Sequence, residues 1–185
     1  MTIPNFITLA RFLLVPAVIF ALMTEEVDWA FAGFVVAAIS DGLDGFIARH
    51  FDQRSELGAY IDPIADKLLL VSVFVVLGYM QHLPLWLVIA AVSRDGLIVG
   101  GVVLATIMGN PVAMKPLFVS KANTLVQFLL AALVLASLSF AFSLGPVYTA
   151  LIFLSALLTV ASGAAYLVSW IKHMGGYVDT GTPQG

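Results

Sequence analysis

Six apolar stretches, at residues 3–23, 29–48, 58–79, 85–107, 124–142 and 147–171, dominate this chain of 185 residues. Each is close to the ~20 residues that cross a bilayer core as a helix. The connections, 24–28, 49–57, 80–84, 108–123 and 143–146, carry breakers such as Pro84, Gly109-Asn110-Pro111, Pro116 and Gly145-Pro146. Composition agrees: 61% of residues are hydrophobic, 10% are charged and the mean hydropathy is +1.05, whereas soluble domains are about a quarter charged. The expected fold is an all-α integral membrane protein of six transmembrane helices with a polar cavity. One domain is expected over residues 1–173, followed by a disordered Gly/Thr/Pro-rich tail at 174–185.

Into this apolar background the chain sets four aspartates. Asp41 and Asp44 are three residues apart, and Asp62 and Asp66 are four apart. On helices both spacings put side chains on one face. Each carboxylate in a lipid-like interior costs roughly 2.5–3.5 kcal/mol on the milder insertion scales, and four together repel one another. Arg49 and Lys67 offer two positive charges close by in sequence, too few for four carboxylates, so a pair of divalent cations accounts for the cluster better. Hard oxygen ligands point to Mg²⁺ or Mn²⁺. Gly45 and Gly58 lie beside these acids, with Ala48 one turn after Asp44. A helix-interior glycine costs about 1 kcal/mol against alanine, and small residues here leave room for a ligand against the backbone.

Lysine and arginine set the orientation. With six spans, both termini and the second and fourth connections share a side, which receives Arg49, Arg54, Lys115, Lys121 and Lys172. The other connections hold no Lys or Arg, and the first carries Glu25, Glu26 and Asp28. The basic side is expected to be cytosolic, and the aspartate site opens towards it. No cleavable leader or transit peptide is expected, which favours a bacterial plasma (inner) membrane. The absence of cysteine removes thiol nucleophiles and thiolate metal sites.

Asp41-x2-Asp44-Gly45-x2-Ala48-Arg49-x8-Gly58-x3-Asp62-x3-Asp66 resembles, at every fixed position, the signature of the CDP-alcohol phosphotransferases, integral membrane enzymes of phospholipid synthesis. The resemblance implies that Asp41, Asp44 and Asp62 hold one cation and that Asp41, Asp62 and Asp66 hold the other. It also implies that Gly45, Arg49 and Ser55 contact the CDP part of the donor lipid. The Asn5–Thr8 turn is expected beside the nucleotide, although Asn5, Thr8 and Arg11 would equally form an interfacial snorkelling stripe. Asp66 is the expected general base, taking the proton of an alcohol that attacks the β-phosphorus as CMP leaves. Two cations suit such an in-line displacement, and the metal must also lower the alcohol's pKa. A homodimer is likewise what the resemblance implies.

Later residues bear on the acceptor. Arg94 and Asp95 sit mid-span, where charge is functional by default. Arg94 either holds a substrate phosphate or belongs to a structural ion pair. Lys121 is either an interfacial anchor or part of an inward stripe with Thr124 and Gln127. Ser162-Gly163 and Gly100-Gly101 are expected to allow close helix packing. Ser93-Arg94-Asp95 and the run from Val119 to Gln127 resemble the cardiolipin synthase branch of the family. The phosphatidylglycerophosphate synthases usually show a second lysine where Asn123 stands. A dianionic glycerol 3-phosphate calls for that extra charge, and a monoanionic phosphatidylglycerol does not. Arg94, Lys121 and Asn123 are thus the acceptor-binding candidates. The expected reaction is transfer of phosphatidate from CDP-diacylglycerol to phosphatidylglycerol. The alternatives are glycerol 3-phosphate as acceptor, an ion transporter, and a structural membrane subunit. No surface for nucleic acid is expected.

Overall fold

The computed structural model describes the backbone of residues 3–51, 56–107 and 118–174, and the side chains of residues 13–40, 67–101, 103, 104, 107 and 118–171. The described residues form six helices and no strand: α1 (Ile3–Met23), α2 (Val27–Phe51), α3 (Glu56–Tyr79), α4 (Leu85–Ile107), α5 (Phe118–Ser139) and α6 (Pro146–Met174). Two of them, over Phe118–Ser139 and Pro146–Ile171, are long and apolar enough to cross a membrane. The other four fall short of that test among the described residues, so six helices are established and six spans remain an expectation.

Helix neighbours close into a ring. α1 packs on α2 and α3, α2 on α5, α5 on α6, α6 on α4 and α4 on α3, while α3 also touches α5 across the middle. Apolar residues at helical spacing drive this: Val15, Val18 and Leu22; Ala30, Phe34 and Ala37; Val73, Phe74 and Leu77; Leu130, Val134 and Leu135 are all buried. Phe34 of α2 stacks on Phe128 of α5 with ring centroids 4.6 Å apart. The outer faces are apolar too. Phe20, Trp29, Leu97, Leu125, Phe153 and Val160 are well exposed, which suits a lipid surround better than water.

At the end of the ring opposite the aspartates, three helices stop on left-handed residues that are not glycine: Glu25 (φ 63°), Gln81 (φ 63°) and Ala141 (φ 52°). Behind them the main chain folds back, with Glu26 N donating to Ala21 O and His82 N to Leu77 O, both at 2.8 Å. This pattern satisfies the last carbonyls of each helix. Ser139 Oγ donates to Asp28 Oδ1, tying the end of α5 to the start of α2, and Tyr148 Oη donates to His82 O at 2.9 Å.

α5 differs from the sequence reading. The expected span ran over 124–142, but the helix begins at Phe118 and ends at Ser139. Thr124 Oγ1 donates to Ser120 O at 3.1 Å and the Asn123 side chain is wholly buried. The helix thus begins six residues before the expected span and ends three residues before its expected end.

Candidate functional site

The aspartates lie on two helices that both pack on α1. Asp41 and Asp44 are in the second half of α2, and Asp62 and Asp66 in the first half of α3. Continuous helix through both segments gives each pair the one-face register that a shared cation requires. The donor set is all oxygen, which fits hard divalent ions. The side chains of Asn5, Thr8, Asp41, Asp44, Gly45, Ala48, Arg49, Gly58, Asp62 and Asp66, and all of Ser55, lie outside the described residues. Among the described residues no cluster of three metal-ligating side chains occurs.

What the described side chains build is a buried polar seam between α4, α5 and α6. At its centre is Arg94, only 4% exposed. Its Nε donates to Ser162 Oγ at 3.1 Å, Nη2 donates to Ser162 Oγ and to Ser120 Oγ, and Nη1 donates to Asp95 Oδ1 at 2.5 Å. Asp95 Oδ1 also accepts from Lys67 Nζ at 3.1 Å. The guanidinium lies over the Tyr166 ring, 5.8 Å from its centroid, a cation–π contact. Three helices therefore fix one planar cation, and Lys67, next in sequence to Asp66, ties that cation to α3. A buried arginine without such partners would be strongly destabilising. Of the two roles considered for Arg94, the ion pair is present, and it is made with the adjacent Asp95.

One turn further into the ring, Thr159 Oγ1 donates to Asn123 Oδ1 at 3.0 Å and receives Gln127 Nε2–H at 3.2 Å. Asn123 Nδ2 and Ser155 Oγ are buried without a hydrogen-bond partner among the described residues. An orphaned buried donor costs about 1–3 kcal/mol, so a function that occupies it is worth seeking. The inward row of α5 is Ser120, Asn123 and Gln127, with Asn123 and Gln127 buried; Thr124 is half-buried and Lys121 is exposed. Of the stripe expected through Lys121, Thr124 and Gln127, only Gln127 reaches α6, and Asn123 rather than Thr124 or Lys121 joins it there.

Sequence reasoning treated Ser162 only as a packing residue and passed over Thr159 and Ser155. Their spacing of four and three residues in an otherwise apolar helix was the available signal. Gly163 lies beside the stem of Arg94: a Cβ there would stand 3.7 Å from Arg94 Cγ, an ordinary van der Waals contact. Beside the seam, between α4 and α6, lies an apolar groove of about 710 Å³ whose walls include Gly96, Gly100, Leu104, Tyr166, Leu167 and Trp170. Trp170 Nε1 donates to Gly101 O at 3.2 Å and closes one side of it.

Comparison with known proteins places this arrangement. Human "Cardiolipin synthase (CMP-forming)" is 35% identical over 152 residues, covering 74% of this chain and 50% of the human protein. The Mycobacterium tuberculosis protein named "Probable phosphatidylglycerophosphate synthase" is 31% identical over 187 residues, covering 95% of this chain and 85% of that protein. The chain spans about half the length of its human relative. Residues 1–173 match the family described as CDP-alcohol phosphatidyltransferase. With that match running through both aspartate pairs and the buried arginine seam, the chain belongs to the CDP-alcohol phosphatidyltransferase family.

Proposed function

We propose that this chain is a cardiolipin synthase: it transfers the phosphatidyl group of CDP-diacylglycerol to phosphatidylglycerol and releases CMP. Asn123 carries the choice of acceptor. Its side-chain oxygen accepts the Thr159 hydroxyl inside a fully buried seam, and a lysine ammonium at that place has no acceptor to offer. A neutral amide suits a monoanionic phosphodiester. The human relative, a cardiolipin synthase that forms CMP, supports the same pair of products.

Asp41, Asp44, Asp62 and Asp66 would hold two divalent cations, Mg²⁺ or Mn²⁺. When bound, these neutralise charge on the diphosphate and on the attacking oxygen. Asp66 takes the proton from the acceptor's hydroxyl as the new P–O bond forms and the bond to CMP breaks. Asn5, Thr8, Gly45, Ala48, Arg49, Ser55 and Gly58 surround the CDP moiety. Arg94 and Asn123 face the acceptor's phosphate, with Lys121 at the exposed mouth. The α4–α6 groove is apolar enough to take a fatty acyl chain. The chain works as a homodimer in a bacterial plasma membrane, with its site open to the cytosol.

Phosphatidylglycerophosphate synthesis is the second reading, favoured by the long match to the mycobacterial relative. Purified protein given CDP-diacylglycerol with either phosphatidylglycerol or glycerol 3-phosphate decides between them. Cardiolipin as the faster product is expected; faster use of glycerol 3-phosphate replaces the first reading with the second.

A further inference from the structure

We infer that Gln127 and Thr159 are positioning residues: they fix the Asn123 amide so that its nitrogen, not its oxygen, is the end offered to the acceptor's phosphate. The inference rests on the reading of phosphatidylglycerol as acceptor. A hydroxyl has one proton to give, and Thr159 gives it to Asn123 Oδ1 while its lone pair takes Gln127 Nε2–H. The chain of bonds therefore runs in one direction, from Gln127 through Thr159 to the Asn123 oxygen. It ends on Asn123 Nδ2, a donor of two protons that is fully buried and has no acceptor among the described residues.

Helix register puts this donor near the aspartates. The bond between Ser139 and Asp28 and the Phe34–Phe128 stack together make α5 antiparallel to α2 and bound their relative height. Counting at about 1.5 Å per residue, Asn123 falls about 3 Å short of Asp41 from the stack and about 4.5 Å beyond it from the Ser139–Asp28 bond, so the two stand within about one helical turn of each other. Ser120, which holds Arg94, is one turn nearer the aspartate end of the ring. The acceptor's phosphate at that level would meet two kinds of donor. One is the neutral amide. The other is the Lys67–Asp95–Arg94 trio, whose two cations and one anion leave a single positive charge. One positive charge and an uncharged donor match a phosphodiester monoanion better than a phosphate monoester dianion.

The test uses the full chain in lipid–detergent micelles and measures steady-state kinetics with CDP-diacylglycerol and phosphatidylglycerol. Asn123→Asp keeps an oxygen towards Thr159 but replaces the nitrogen donor with a negative oxygen. It is expected to raise KM for phosphatidylglycerol about tenfold or more, with KM for CDP-diacylglycerol held within about twofold. Thr159→Val should move the same constant in the same direction by a smaller factor, and Thr159→Ser should restore it. If Asn123→Asp does not fold, the contrast between Thr159→Val and Thr159→Ser decides alone. An unchanged KM for phosphatidylglycerol in the variants that fold overturns the inference. So does a parallel rise in both KM values with a fall in kcat, which is the mark of a merely structural role. A wild-type enzyme that makes phosphatidylglycerophosphate instead sinks the acceptor reading. The same variants are then measured on glycerol 3-phosphate, where a selective rise in its KM retains Asn123 as the donor and no rise removes it.

Discussion

Arg94 shows how one residue draws several helices together. Its guanidinium meets Ser120 on α5, Ser162 on α6 and Asp95 beside it on α4, and Asp95 reaches Lys67 on α3. Taking two charges out of water is costly, and the arrangement holds because nearly every donor is matched. Removing Asp95 leaves Arg94 buried without its counter-charge. Asp95→Ala is expected to destabilise the protein by about 3 kcal/mol or more, read as a lower unfolding temperature in detergent. Arg94→Met together with Asp95→Ala should recover much of that loss, because an apolar pair needs no counter-ion. A double variant no more stable than Asp95→Ala would mean that the charges themselves are not what the seam depends on.

At the scale of the helix, close approach of α1 and α2 is set by Gly33. A Cβ at that position would stand 2.8 Å from Val18 Cγ2, and Val18 is 2% exposed. Gly33→Ala is expected to cost up to about 2 kcal/mol, the overpacking of ~1–3 kcal/mol less the roughly 1 kcal/mol that alanine gains in a helix. Val18→Ala opens the matching space, so the double variant should be more stable than the sum of the single losses; strict additivity would exclude a direct clash. Helix number and order were readable because each apolar run is long enough to be only one thing. The start of α5 was not, because Ser120 and Asn123 are polar and look like loop until Arg94 and Thr159 supply their partners. The polar row on α6 was hidden for the opposite reason: Ser155, Thr159 and Ser162 are ordinary residues in any long helix, and only their facing helices give them meaning. The aspartates stood out in the sequence because charge in an apolar run has few cheap explanations.

Across the whole molecule, exposed apolar residues on all six helices and two helices long and apolar enough to cross a bilayer suit a membrane protein. The expected six spans would place its flanking lysines and arginines on one side. The sequence has no cysteine, so single cysteines report sidedness without background. Ser143→Cys, in the connection before α6, should react with a membrane-impermeant maleimide in intact cells. Phe118→Cys, at the start of α5, should react only after permeabilisation. The reverse pattern would invert the orientation and move the aspartate site to the other face. Metal stoichiometry in the purified full chain, titrated with Mn²⁺ in the presence of CDP-diacylglycerol and followed by electron paramagnetic resonance, tests the centre of the account most directly. Two Mn²⁺ bound per chain, with binding lost in Asp62→Ala and CMP release lost alongside it, is the predicted result. Binding that leaves Asp62→Ala indistinguishable from wild type, or CMP release that persists after chelation, would contradict it.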